Sequence, residues 1–299
     1  MSWTESSLKY VDAGVLRVAY RDVGSVDGPV AILLHGFPYD VHAYDTVVEN
    51  LTSSGCRCIV PYLRGYGPTT FLSPGTVRSG EQAVLGHDLK TLIEALGLNK
   101  PVVGGYDWGG RAACVVAALW PELVRGLVTV NGYNVQNIAA SSQPAHPEEE
   151  YRYWYQYYFH SERGREGLRR NRRELAKLLW RLWSPYWEFD DATFERSAPA
   201  FDNPDYVDVV IHSYRHRYAL VEGDPQVEHV EAQLAKRPLI TVPTVSLDGD
   251  GDGVMPSAGA RGHKKMFSGP YEFKVLPRIG HNLPQEAPDV FADAIRDVL

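Results

Sequence analysis

The chain has little cysteine. Cys56, Cys58 and Cys114 are the three in 299 residues, an odd number. No second Cys or Cys/His pair lies nearby to complete a zinc site. That pattern excludes a disulfide-stapled fold and points to buried free thiols in a reducing compartment. Long apolar runs are missing as well. No window approaches the ~18 apolar residues of a membrane-spanning helix. Met1-Ser2-Trp3-Thr4-Glu5 has no basic segment leading into an apolar run, so no secretory leader is expected and the expected location is cytoplasmic. Basic excess is also lacking. Lys and Arg number 30 against 37 Asp and Glu, a net charge of -7, which argues against nucleic acid or an anionic membrane as partner. The one basic run, Arg163–Arg173, is interleaved with Glu166 and flanked by Glu162 and Glu174, as on a solvated helix face. No internal repeat or low-complexity tract is present.

What the chain does have is 44% hydrophobic residues, enough for one large core with or without an inserted subdomain. Two alternating strands are expected across residues 8–23, around a turn at Asp12-Ala13-Gly14. Val30–Leu34 is a continuous apolar run ending in His35-Gly36, as in a strand buried on both faces. A helical pattern at Ala43–Ser54, a strand at Cys58–Pro61 and a helix at Gly80–Leu96, stopped by Gly97, follow. Next come a strand at Pro101–Gly105, a helix at Arg111–Trp120 and a strand at Leu127–Val130. This alternation implies parallel strands with right-handed crossovers, hence an α/β doubly wound sheet. The rhythm breaks near Tyr133. An aromatic cluster, Tyr151–Phe159, precedes a stretch in which Leu168, Leu175, Leu179 and Leu182 are spaced for one helix face, and another helical pattern spans Val207–Val221. The rhythm resumes at Thr241–Leu247, Glu272–Leu276 and a last helix after Pro288. The expected organisation is a sheet domain made of residues 1–132 and 232–299, with a helical insertion at 133–231.

The sharpest motif is Gly105-Tyr106-Asp107-Trp108-Gly109-Gly110, at a strand-to-helix junction. It has the Gly-x-nucleophile-x-Gly form of an elbow that exposes its central side chain at the end of the sheet. A phosphate loop would need Lys and a hydroxyl residue where Arg111 and Ala112 stand, and a dinucleotide fingerprint would need another glycine spacing. The N–H groups of Trp108 and of Phe37, in the loop after the buried strand, are the expected oxyanion donors. Further along lie Leu247-Asp248-Gly249-Asp250-Gly251-Asp252-Gly253 and Gly280-His281-Asn282, giving the chain order nucleophile, acid, histidine. The Asp-Gly string also mimics a calcium loop, but Gly259 stands where that loop needs Glu and a strand precedes it, so no metal and no cofactor are expected. Asp252 is expected to pair with His281, with Asp250 as the fallback; His35 is expected to be structural. A carboxylate is already ionised at neutral pH and attacks without a base. It displaces a leaving group from saturated carbon and becomes an ester, which water activated by His281 then cleaves.

His35-Gly36-Phe37-Pro38, Leu63-Arg64-Gly65-Tyr66-Gly67, the Asp107 elbow and Gly280-His281 resemble the motifs of the epoxide hydrolases of the α/β-hydrolase fold. The resemblance covers both halves of the sheet domain. It implies a mostly parallel central sheet flanked by helices, with an inserted helical cap carrying two tyrosines that hydrogen-bond the epoxide oxygen. The segment Tyr155–Phe159 is similar to the first cap-tyrosine segment and Tyr214-Arg215 to the second, which maps the donors onto Tyr155 and Tyr214. Trp108, Arg111, Trp154 and Tyr158 are the expected substrate-binding residues. The chain departs from the pattern at Tyr106, where the family has His, and at Tyr62, where it has Asp. Haloacetate dehalogenases, similar in fold, place arginines one and four residues after the nucleophile to bind the substrate carboxylate; here Trp108 and Arg111 occupy those positions, a half match that keeps a carboxylate-bearing substrate as an alternative. Haloalkane dehalogenases resemble the chain through Asp107-Trp108. They need a second halide donor, which Trp154 or Trp183 could supply. The expected partner is a small apolar epoxide or an organohalide, with a ligand-binding pseudoenzyme as the reading from another class.

Overall fold

The computed structural model describes residues 8–257 and 263–299. Met1-Ser2-Trp3-Thr4-Glu5, read above for a leader, and Gly259, read as the failed calcium position, lie outside the described residues. β1 (Lys9–Ala13) and β2 (Leu16–Gly24) form the expected hairpin, with Gly14 at φ 57° in its turn. β3 (Val30–Leu34), β4 (Arg57–Pro61), β6 (Val102–Gly105), β7 (Gly126–Val130), β8 (Thr244–Gly249) and β9 (Tyr271–Leu276) follow, and the two-residue β5 (Thr70–Phe71) pairs with β2. The sheet order is β1-β2-β4-β3-β6-β7-β8-β9. The pairs from β4 through β9 are parallel, and β2 joins β4 antiparallel.

Helices cover the sheet. α1 (Asp45–Ser53) packs on the terminal helix, α11 (Pro288–Asp297), and α2 (Gln82–Ala95) packs on α3 (Asp107–Leu119). α3 begins four residues before the pattern expected it, because its first residue is the elbow Asp itself. Strand order reverses around β3 and β6, which are hydrogen-bonded neighbours with Leu34 opposite Gly105. Loops leaving the carboxyl ends of such neighbours diverge and open a crevice. The His35–Pro38 loop and the Asp107 turn flank that crevice.

Between β7 and β8 the chain is helical: α4 (Pro147–Arg152), α5 (Trp154–His160), α6 (Glu162–Arg170), α7 (Arg172–Trp183), α8 (Asp191–Ser197), α9 (Tyr206–His216) and α10 (Glu228–Leu234). Two expectations change here. The leucine stripe is not one helix face. The chain breaks at Asn171, and in α7 the buried positions are Ala176, Leu179, Trp180 and Trp183, while Leu182 is exposed. Trp180 and Trp183, a turn apart, hold more apolar surface than Leu182 between them and set which side turns inward. α9 stops at His216 rather than Val221. The chain reverses there through Ala219 at φ 54°, with Leu220 N–H bonded back to Arg215 O. No helix among the described residues is long and apolar enough to cross a membrane.

Candidate active site

Asp107 sits at φ 50°, a left-handed conformation that a residue with a Cβ adopts only under strain. Glycine makes the turn possible. A Cβ on Gly109 would stand 2.0 Å from Leu34 O, and one on Gly36 would stand 2.4 Å from Asp107 Cβ. With that space open, Phe37 N–H donates to Asp107 Oδ1 at 2.7 Å. Trp108 N–H lies in the first turn of α3, where helical N–H groups have no intrahelical acceptor; it makes no hydrogen bond to the Asp107 carboxylate.

The histidine comes from the loop after β9. Its Nδ1 lies 2.8 Å from Asp252 Oδ2, and its Nε2 lies 3.6 Å from Asp107 Oδ2, too far for a hydrogen bond. That Nε2 is buried with no hydrogen-bond partner. The loop is pinned by the end of α7: His281 N–H bonds Trp183 O and Ser184 Oγ, each at 3.1 Å. Glu286 accepts from Ser184 Oγ, Gly280 N–H and Asn282 N–H. The three carboxylates of the Asp-Gly string diverge. Asp248 accepts from Ser257 Oγ, Asp250 is exposed and accepts from Arg278 N–H, and Asp252 turns inward. Asp252 Oδ1 takes Val254 N–H and Met255 N–H, which aims Oδ2 at the imidazole. Among the described residues no group of three His, Cys, Asp or Glu is placed to hold a metal ion.

Electrostatics follow from this arrangement. Burial alone would lower the His281 imidazolium, but the carboxylates of Asp252 and Asp107 outweigh it and push the value up to about 10. Burial would raise the Asp107 carboxyl, yet His281, the Arg217 charge and Phe37 N–H hold it below the usual value. His35 is the opposite case. Burial brings it down to about 4 despite its contact with Gly36 O, and its neutral Nε2 accepts from Leu63 N–H at 3.1 Å. It ties two loops together.

Helices α5 and α9 bring aromatic side chains over this array. Tyr155 and Tyr214 pack edge to face with ring centroids 5.3 Å apart, and both rings touch Phe37. Tyr155 Oη accepts only from Gln156 Nε2, and Tyr214 Oη is buried without a partner. Burial raises both phenols above the usual tyrosine value. A cavity of about 270 Å³ opens beside them, lined by Asp107, His281, Tyr155, Arg111, Arg217 and Asn134, among others. A cavity of about 380 Å³ around Asp40, His42 and Arg196 holds none of these groups.

Of the expected substrate-binding residues, Arg111 lines the cavity that holds Asp107, and Trp108 lies buried against Phe37 and Tyr214. Trp154 and Tyr158 do not line it. On α5 the buried side belongs to Tyr155 and Phe159, and Trp154 faces a separate cavity with Pro147, Leu182 and Trp183. Trp154, before Tyr155, turns away from the cavity, whereas Gln156, after it, is buried and reaches the cavity. The sequence reading missed Arg217, Asn134 and Gln156. Tyr214 was found but Arg217, one turn on, was not, because a lone Arg at a helix end reads as a C-terminal charge.

The chain matches the model of the α/β hydrolase fold family over residues 29–288. It is 26% identical over 293 residues to epoxide hydrolase 4 of Mus musculus, covering 96% of this chain and 77% of that protein. It is 32% identical over 122 residues to a haloalkane dehalogenase of Mycolicibacterium paratuberculosis, covering 41% and 40%. Among solved structures, a candidate epoxide hydrolase from Klebsiella pneumoniae superposes with a TM-score of 0.96 at 42% identity, covering 98% of this chain and 97% of that one. The chain belongs to the α/β-hydrolase family, and within it to the epoxide hydrolase-like hydrolases.

Proposed function

We propose that the protein opens epoxides to vicinal diols through an ester on Asp107. The observation that carries this reading is the polarised carboxylate: Oδ1 is held by Phe37 N–H while Oδ2 stays free and faces His281 Nε2. Oδ2 attacks the epoxide carbon, and the phenols of Tyr155 and Tyr214 bind the ring oxygen and supply its proton. Oδ1 becomes the ester carbonyl oxygen, held by Phe37 N–H for the negative charge that water attack puts on it, and Trp108 N–H, in the first turn of α3, supplies the second donor. Alkylation also erases the Asp107 charge. His281 then loses one of the two carboxylates that held it protonated, and its proton balances the one taken up by the opened oxygen. Neutral Nε2 removes a proton from water, the hydroxide attacks the ester carbon, and diol, Asp107 carboxylate and imidazolium are restored. Helices α4 to α9 act as the cap, within residues 133–231, over a core formed by 1–132 and 232–299.

The test is His281→Ala with styrene oxide, read by intact-protein mass spectrometry. The variant should gain the mass of one substrate on the peptide containing Asp107 and turn over no further. No adduct, from any epoxide that the wild type hydrolyses, would overturn the covalent route. One observation favours a second reading. Trp108 Nε1 is buried without a partner, and a departing halide uses such an N–H and needs no proton. Under that reading the same adduct forms from a haloalkane.

A further inference from the structure

The hydrolysis sequence leaves two charges in the cavity unused. Arg217 caps α9 one turn after Tyr214 and is 7% exposed. Its guanidinium lies over the Tyr214 ring, 4.5 Å from the centroid, and 6.0 Å from that of Trp108. Its Nη2 is buried with no hydrogen-bond partner. Arg111, one turn after Asp107, touches only neutral oxygens, Asn134 O at 3.2 Å and Gln136 Oε1 at 3.4 Å. Among the described residues neither makes an ion pair of the kind that satisfies Arg64 on Asp88. Burial and the neighbouring Arg217 charge bring Arg111 down to about 10, so the two guanidiniums feel each other. Two buried cations without a carboxylate partner are unfavourable, and a planar fork that lacks a partner is suited to a bidentate anion.

The reaction makes this imbalance worse. In the resting protein the Asp107 carboxylate attracts both arginines. Alkylation neutralises it, and a neutral substrate would leave both guanidiniums facing no anion at the intermediate. A substrate that brings its own carboxylate keeps a counter-charge in the cavity throughout. We propose that the substrate is an epoxide bearing a carboxylate, which Arg217 and Arg111 hold while Asp107 attacks the ring. This rests on the epoxide reading above. It revises the expected apolar partner: the cavity that holds Asp107 is lined by the rings of Tyr133, Tyr153, Tyr155 and Tyr218 together with the two arginines.

Wild-type protein is assayed on phenylglycidate, phenylglycidamide and styrene oxide, which need no variant to fold. Phenylglycidate should exceed the amide by on the order of 10²-fold in kcat/KM, the range of a charge-assisted hydrogen bond to a buried cation. Arg217→Met should bring that ratio near one, with Arg217→Lys between. Calorimetry with the unreactive phenylpropanoate and phenylpropanamide reads the same preference without chemistry, and Arg111→Met should weaken the acid's binding too. Equal hydrolysis of acid and amide would overturn the anion site and leave the epoxide reading standing. Equal losses on acid and amide in Arg217→Met would also overturn it, making Arg217 an aid to the acidity of Tyr214. No epoxide opened, with phenylpropanoate still bound through Arg217, would uphold the anion site and overturn the epoxide reading.

Discussion

Replacing Asp252 by Asn tests the buried end of the Asp107–His281–Asp252 array. Asp252 Oδ1 accepts two backbone N–H groups, from Val254 and Met255, so an amide oxygen at that position keeps the loop. The amide nitrogen then falls where Oδ2 was, 2.8 Å from His281 Nδ1. An amide N–H donates, so Nδ1 must accept, and the ring proton moves to Nε2. Nε2 is the atom that faces Asp107, and with a proton it cannot take one from water. The charge is lost as well. Moving an imidazole from its ordinary 6.5 to about 10 corresponds to about 5 kcal/mol, shared between Asp252 and Asp107, so removing one carboxylate forfeits a sizeable part of it. Ester hydrolysis should fall by about 10³–10⁴-fold, the range for a catalytic histidine forced into the wrong tautomer. Attack by Asp107 should slow far less, because Phe37 N–H and Arg217 still hold its carboxylate ionised. Rapid quench should therefore show a burst of about one adduct per chain followed by almost no turnover. Turnover within tenfold of wild type, or loss of the burst together with turnover, would refute the reasoning.

Tyr155→Phe and Tyr214→Phe should each cost about 10²-fold in epoxide opening, in the usual range for one acid catalyst, and the double variant should show no trapped ester; near wild-type opening by the double variant would make both rings packing residues. Gly36→Ala should abolish adduct formation in a folded protein, since the new Cβ would stand 2.6 Å from Asp107 Oδ1 and overpacking costs about 1–3 kcal/mol; an active Gly36→Ala would contradict the turn geometry. Stability should fall with alkali. The folded His281 binds its proton up to about pH 10 and the unfolded one only to about 6.5, so its contribution is complete below about pH 6.5 and is lost as pH rises toward 10. The loss is about 1.4 kcal/mol per pH unit between those limits. Urea denaturation at pH 7, 8 and 9 should show this slope in the wild type and a flatter one in His281→Gln; parallel slopes would place the raised value elsewhere.

The sequence by itself determined the sheet and the ends of its strands that matter. Val30–Leu34 and Val102–Gly105 are too apolar and too short to be anything but buried parallel strands, and glycines at 36, 105 and 109 mark close backbone approaches, which are local requirements. Chain order put Asp107, an acid and His281 at three strand ends, and strand ends at one edge of a parallel sheet must meet. What the sequence could not decide was which side chains of the helical insertion face inward. Helical spacing admits several rotations, and the choice falls to whichever large rings find space against Phe37 and Trp108, here Tyr155, Trp183 and Tyr214, leaving Trp154 and Leu182 outside. Among Asp248, Asp250 and Asp252 the sequence singled out Asp252 with Asp250 as fallback; the structure turns Asp252 to His281 through the local N–H groups of Val254 and Met255, while the Trp183–Ser184 segment holds both loops together. Arg217 belongs with the insertion's inward-facing rings. Its backbone position is a helix end that any Arg could hold, and it becomes a cavity charge only because α9 lays Tyr214 on Phe37 and Trp108 and carries its own last turn in with it.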